Sequence, residues 1–272
     1  MRRNHRMIFS VIGTGNMGQA LVSGFLSKGI LQADDVRVCD NDEKKVFAFA
    51  AQTGCTPFTN ASDAVVDADY VLLSVKPQVI DRTIIDLLAS LSPRTVVISI
   101  AASVKVSRLR NLLHLETPIV RVMPNTPALV GAAVNAVCFD GVNEQHMTFV
   151  LSLLETCGLV VPCDEKMLDA IGSVSGTGPA YVMLFIESLA DAAVKLGIPR
   201  ATALEIAAMT VYGSGKLAVE TKTHPAILKD QVCSPGGTTI EGVLALEKFG
   251  LRAAVEAAVI AADDKTRLLA GG

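Results

Sequence analysis

Two glycine-rich segments, near opposite ends of this 272-residue chain, have the residue types and spacing to hold anions. The first is Gly13-Thr14-Gly15-Asn16-Met17-Gly18, a full G-x-G-x-x-G between an apolar run and a helical pattern. In that setting Gly13 makes a tight turn, Gly15 lets a pyrophosphate approach the backbone, and Gly18 lets helix and strand pack closely. Asp40 ends the next apolar run, where an acidic residue would hydrogen-bond a ribose 2′-hydroxyl and favour NAD(H). Arg37, Lys44 and Lys45 are near enough in sequence to accept a 2′-phosphate, and a solvated loop of mixed charge is the plain alternative. The cofactor is therefore read as NADP(H) or NAD(H).

The second segment is Val232–Glu241, VCSPGGTTIE, a Pro-Gly-Gly turn directly before a helix start. Gly236 and Gly237 permit positive φ or close approach of a ligand. Thr238 and Glu241 have the spacing of a capping box, with Thr238 as the cap. A glycine-lined helix N-terminus suits a carboxylate, although an ordinary capped bundle helix fits the same residues. Ser175-Gly176-Thr177-Gly178-Pro179-Ala180-Tyr181 is another glycine-rich helix entry, with Pro179 suited to the first helical position. These features describe a nicotinamide-dependent oxidoreductase acting on a small carboxylate.

Two kinds of element must position these residues. From 7 to about 163, short β-branched runs (7–12, 36–39, 70–75, 95–100, 119–122, 134–139 and 158–162) alternate with helical segments such as 78–91. Several runs are apolar throughout, as in parallel strands buried on both faces. The expected fold is α/β: an N-terminal Rossmann-like doubly wound sheet over 1–164 and an all-helical C-terminal domain over 165–272. Helices are expected to begin near Met167, Pro179, Pro199, Pro225, Thr239 and Leu251. Glu187, Asp191 and Lys195 form one narrow polar stripe on a helix that is apolar elsewhere, so this half is expected to dimerise.

Ligands of open α/β sheets lie beyond the carboxyl ends of the strands. Three strand exits meet that condition. Val75-Lys76-Pro77-Gln78 aims Lys76 at the crevice, Ser99-Ile100-Ala101-Ala102 is small enough for a flat ring, and Met123-Pro124-Asn125-Thr126-Pro127 presents Asn125 and Thr126. Taken singly, each is explained by ordinary turn chemistry. Together on one edge they are better explained by a nicotinamide and its substrate.

Composition narrows the classes further. The net charge is −3, with lysines and arginines scattered, which argues against nucleic acid or an anionic membrane surface. Six cysteines without a C-x-x-C pair and four dispersed histidines indicate neither a metal site nor a disulfide framework. A cytoplasmic enzyme with reduced thiols is expected. The basic start and short apolar run at 1–12 imitate a signal peptide but are too short for one. No uncharged stretch reaches the length of a membrane span.

The motifs together resemble the Δ1-pyrroline-5-carboxylate reductases over essentially the full chain: GTGNMG at 13–18, VKPQ at 75–78, SIAA at 99–102, RVMPNTPA at 121–128, SGTGPAY at 175–181 and SPGGTTIE at 234–241. Ser103 and Thr177 stand where that family usually has glycine and serine. The resemblance implies NAD(P)H-dependent reduction of pyrroline-5-carboxylate to L-proline, the last step of proline biosynthesis. It also implies a helical domain interlocked with a second subunit, in dimers that commonly assemble into decamers. By matching positions, the glycine loop, Asn60, Val75, Lys76, Pro77, Ala101 and Asn125 bind the cofactor. Ser175–Gly178 and Gly236, Gly237, Thr238 and Thr239 bind the substrate. Thr239 and Lys76 are the side chains placed at the chemistry, with Thr239 approaching the ring nitrogen. No histidine lies in any motif, which suits an imine that can enter already protonated. Rival readings are a related imine or β-hydroxyacid reductase on the same scaffold and a non-catalytic NAD(P)-binding paralogue.

Overall fold

The computed structural model describes residues 7–269, so the basic start at 1–6 and the last three residues of the expected second domain lie outside the described residues. One sheet is built from β1 (Phe9–Ile12), β2 (Val36–Cys39), β3 (Thr56–Phe58), β4 (Tyr70–Leu73), β5 (Val96–Ser99), β6 (Ile119–Met123), β7 (Ala133–Asp140) and β8 (Gly158–Pro162). Its spatial order is β3-β2-β1-β4-β5-β6-β7-β8, which reverses direction between β1 and β4 and makes the sheet doubly wound. All seven runs read from the sequence form strands. β3 is the addition: three residues with Pro57 at the centre carry no periodic signal, and an edge strand is where proline is tolerated.

Pairing is parallel except between β6 and β7, which run antiparallel. Between them lies only a loop around the short 3-10 turn Thr126–Val130, too brief for the crossover that a parallel neighbour requires. The remaining connections carry α1 (Asn16–Ser27), α2 (Glu43–Thr53), α3 (Ala61–Ala64), α4 (Ile80–Leu87), α5 (Val106–Leu112) and α6 (Glu144–Glu155). Successive strand residues feed opposite faces. Phe9, Val11 and Leu72 join one apolar cluster with α1 and α6, whereas Ile12, Val71 and Leu73 join another with α4 and α5. Both faces are therefore buried, which is why these strands read as unbroken apolar runs.

The chain then continues through α7 (Glu165–Ser175), α8 (Gly178–Lys195), α9 (Arg200–Thr221), α10 (Pro225–Val232), α11 (Thr238–Lys248) and α12 (Leu251–Leu269). Asp164 caps α7, accepting from the Met167 amide at 2.7 Å. The first compact unit holds the described residues through Gly176 together with the end of α12 from Asp263; the second is Thr177–Ala262. This division falls after α7 instead of before it, because Leu168 of α7 is buried with Ala136 and Cys138 of β7. Arg200 and Gly178, not Pro199 and Pro179, are the first helical residues of α9 and α8.

The second unit has almost no interior of its own. Within 177–262 the buried residues are Ala190, Ala203 and Ala207, where α8 and α9 pack closely. Met183, Leu184, Leu196, Met209, Tyr212 and Val219 are all exposed. No described helix is long and apolar enough to cross a membrane.

Candidate active site

The strand register sets the first part of the site. Cys39, Ile12, Leu73, Ser99 and Arg121 are aligned across β2, β1, β4, β5 and β6, so the loops that follow leave the same edge. The glycine loop and the β4 exit are packed together there. Gly13 has φ +102°, and a Cβ on it would stand 2.5 Å from the Ser74 carbonyl oxygen. A Cβ on Gly18 would stand 2.6 Å from both the Gly13 carbonyl oxygen and Ser74 Oγ. At Gly15 a Cβ would meet nothing within 4 Å. Gly15 is the N-cap of α1, makes no side-chain cap, and is followed by no acidic residue in the first turn.

Two glycines thus permit close packing, while the third leaves open space over an uncapped helix N-terminus. That is the shape and polarity a dinucleotide pyrophosphate needs. Asn16 is exposed at this opening, and Met17 turns back to pack on the core. Lys76 is exposed just beyond Ser74, with Val75 and Pro77 half-buried beside it.

Other residues expected at the cofactor are held differently. Asp40 faces its own loop: Oδ2 accepts from the Thr14 amide at 2.6 Å and from Thr14 Oγ1 at 3.1 Å, and Oδ1 accepts from the Asp42 amide at 3.0 Å. These bonds commit much of its carboxylate to the glycine loop, beside the ribose-reading role expected from its position. Arg37 is turned to the backbone after α3. Its Nη1 donates to the carbonyls of Ala64 and Val66 at 3.2 and 2.6 Å, and its guanidinium lies 5.5 Å from the centre of the Phe58 ring. Lys44 and Lys45 are exposed at the start of α2, and Lys45 pairs with Asp42 at 3.5 Å.

Asn60 caps α3 by accepting from the Ser62 amide at 2.8 Å. The Ala101 methyl is buried in the core and Ala102 is the exposed residue, so any contact from Ala101 must come from its backbone. Ser103 takes a left-handed φ of +61°, which explains a preference for glycine at this position. Asn125 is likewise used internally, donating to the Ser175 carbonyl at 2.9 Å and accepting from the Val134 amide at 2.9 Å.

Arg121 was not singled out by the sequence reading, yet it organises this region. Only 2% of its side chain is exposed. It donates to Glu165 Oε1 at 2.8 Å and to Asp169 Oδ1 at 2.6 Å, both on α7. Glu165 Oε1 also accepts from the Val106 amide at 2.7 Å, joining β6, α5 and α7. The available signal was a charge inside the apolar strand IVRV, which must find partners when buried. Arg121 and Asn125 together fix α7, whose last residue opens the Ser175–Gly178 segment. At Gly176 a Cβ would lie 2.7 Å from the Gly172 carbonyl oxygen, so glycine is needed for the helix to turn there.

Within the second unit, Thr177 and Gly178 start α8, and Tyr181 Oη donates to the Ala258 carbonyl at 3.2 Å, a packing contact with α12. Gly236 has φ +64°, and the Gly237 amide donates to the Ser234 carbonyl at 3.0 Å. Gly237 is the N-cap of α11 and makes no side-chain cap. Thr238 as a cap is therefore corrected: the turn closes one residue sooner and the helix begins at Thr238 itself. Thr238 becomes the first helical residue, Ile240 the third, and Glu241 falls outside capping-box reach. The consequence favours a ligand, because no side chain of the turn occupies the helix amides. Thr238 is exposed, whereas Thr239 is half-buried in the first turn.

A doubly wound sheet with an open glycine cradle at its reversal point, followed by a helical unit, defines a Rossmann-type nicotinamide oxidoreductase. Comparison with known proteins makes this specific. Residues 8–103 match the family "NADP oxidoreductase coenzyme F420-dependent", and residues 165–269 match "Pyrroline-5-carboxylate reductase dimerisation". The chain is 38% identical to a pyrroline-5-carboxylate reductase of Arabidopsis thaliana over 95% of its length and 94% of that protein. It is 40% identical to one of Escherichia coli over 95% of its length and 96% of that protein. Among solved structures, a pyrroline-5-carboxylate reductase of Coxiella burnetii superimposes with a TM-score of 0.89 at 30% identity, covering 97% of this chain and 99% of the other. The Plasmodium falciparum enzyme, solved with NADP bound, gives 0.88 at 30% identity, covering 97% and 98%. This chain belongs to the pyrroline-5-carboxylate reductase family.

Proposed function

We propose that the chain reduces the C=N bond of Δ1-pyrroline-5-carboxylate with NAD(P)H to give L-proline, the last step of proline biosynthesis. The observation that carries this reading is that one chain, 40% identical to the Escherichia coli reductase, has both an open dinucleotide cradle and an uncapped, glycine-lined helix start at Gly236–Thr239. When bound, the reduced nicotinamide supplies the hydride. The chain's own task is to hold two partners in register. Gly15 and the first amides of α1 receive the pyrophosphate, with Asn16, Met17, Asn60 and the Val75–Pro77 exit along the cofactor. The amides of Thr238 and Thr239 receive the substrate carboxylate, aided by Ser175–Gly178, and Thr239 Oγ1 approaches the ring nitrogen.

A cyclic imine is basic enough to arrive as an iminium, so hydride addition needs no strong protein acid. Catalysis then rests on orientation and on backbone dipoles that are already in place. Lys76 contributes a positive charge beside the cofactor. The helical half, 165–272, is proposed as the dimerisation and substrate domain, in a cytoplasmic homodimer that assembles into a decamer. Its exposed apolar helices support the pairing.

The test is steady-state oxidation of NADPH and NADH by the purified protein with pyrroline-5-carboxylate, set against small hydroxy and keto acids. Turnover confined to the imine is expected. Hydroxyacid activity alone would point to a β-hydroxyacid enzyme on the same scaffold, and no turnover at all would leave a cofactor-binding protein. Light scattering at micromolar protomer concentration should exclude a monomer.

A further inference from the structure

The carboxylate of Asp40 faces inward, to the loop that must grip the cofactor. Thr14 lies between the positive-φ turn at Gly13 and the N-cap at Gly15, and is itself 1% exposed. Its amide and its hydroxyl both donate to Asp40 Oδ2, at 2.6 and 3.1 Å. Its carbonyl accepts from Gln19 Nε2 at 2.8 Å, and the Gly13 amide donates to the Cys39 carbonyl at 2.8 Å. The turn is thus fastened from both sides: to α1 through Gln19, and to the end of β2 through Cys39 and Asp40. The Asp40 carboxylate is anchored in turn, because Oδ1 accepts from the Asp42 amide at 3.0 Å.

We propose that Asp40 is a positioning residue for the glycine loop, acting on both nicotinamide dinucleotides alike instead of selecting between them. The proposal rests on the cofactor reading above. It follows from the bond pattern. A carboxylate that takes three donors from its own chain holds the loop in the shape that exposes the α1 amides. Every dinucleotide carries the pyrophosphate those amides face, whereas only the 2′-position distinguishes the two forms. Discrimination at the 2′-position then falls to the segment after Asp40, where Lys44 and Lys45 are exposed and from which Arg37 is turned away.

The experiment uses the full-length protein as Asp40→Ala, Asp40→Asn and Thr14→Val. Dissociation constants for NADPH and NADH are measured by calorimetry, and amide exchange at Thr14 is measured by hydrogen–deuterium exchange without cofactor. Asp40→Ala should weaken both dinucleotides by a similar factor of about ten or more, the worth of a charge-assisted hydrogen bond. It should also speed exchange at Thr14. Asp40→Asn should recover most of the affinity, since its carbonyl can still accept both Thr14 donors. Thr14→Val, which keeps the amide bond, should cost less than Asp40→Ala. A selective tenfold gain in NADPH binding in Asp40→Ala would overturn the proposal and restore ribose selection. Unchanged exchange at Thr14 would overturn it too. If the wild type bound neither dinucleotide, the cofactor reading would fail, and the exchange data would still report whether Asp40 holds the loop.

Discussion

Replacing Arg121 with methionine removes a buried guanidinium while keeping much of its apolar stem. Two charge-assisted hydrogen bonds are lost, to Glu165 at 2.8 Å and Asp169 at 2.6 Å. At about 1.5–3 kcal/mol each, their gross loss is about 3–6 kcal/mol. Two effects reduce it. The guanidinium no longer has to be desolvated, and the carboxylates are 31% and 27% exposed, so both retain water. A third effect works the other way, because Glu165 and Asp169 are four residues apart on α7 and repel each other once unpaired. The net expectation is a loss of about 3 kcal/mol, the low end for breaking a buried pair. For a chain of this size that is a fall in melting temperature of about 6–12 °C. Thermal unfolding by circular dichroism, at fixed protomer concentration, measures it. Adding Glu165→Gln and Asp169→Asn to Arg121→Met should return part of the stability. A single variant within 1 kcal/mol of wild type, or a combined variant no better than the single one, would refute the reasoning.

Gly15→Ala should leave stability within about 0.5 kcal/mol, because φ −71° and ψ 174° suit alanine and the space is open, yet it should weaken dinucleotide binding tenfold or more. Gly18→Ala should instead cost about 1–3 kcal/mol, since its Cβ would meet backbone at 2.6 Å; thermal melts beside calorimetric titrations separate the two outcomes. Thr239→Val should lower turnover about a hundredfold with little change in cofactor affinity, read by steady-state kinetics and equilibrium titration. Ser103→Gly should raise stability by about 1 kcal/mol by relieving a φ of +61°, as measured by denaturant unfolding. Burial, followed by the charges of Asp40 and Glu165 respectively, pushes the Cys39 and Cys138 thiols up to about 11. Their thiolates should appear only as pH approaches that value, so alkylation of the native protein at pH 8 should spare both when mapped by mass spectrometry.

What the sequence disclosed depended on how local the cause was. The glycine loop was legible because each glycine answers a constraint within a few residues: a turn, an open approach, a close packing. The long strands were legible because burial on both faces leaves an apolar run. β3 was not, since three residues around Pro57 are placed by the neighbouring β2 and not by any pattern of their own. Asp40 was found, but its bonds to the glycine loop were not. Its position after β2 is visible, whereas the Thr14 donors that occupy it become visible only once β1 and β2 lie side by side. Arg121 and Asn125 show the same limit, because their partners on α7 are distant in sequence. The Thr238 cap failed for a smaller reason: the turn ends one residue sooner, at Gly237, which moves the helix start and with it the register of every capping contact.

Three buried alanines cannot hold five helices together, and this changes what folding means for the chain. The first unit owns its apolar interior. On the proposed pairing, the second completes its interior against another chain, and the last stage of folding becomes a bimolecular reaction whose rate rises with protomer concentration. Dilution should therefore split one melt into two. The helical transition should come earlier as the protein is diluted, and the sheet transition should stay where it was. A newly made chain at low abundance would wait with its helices exposed, and the time to meet a partner, more than the time to fold, would decide whether it matures or aggregates.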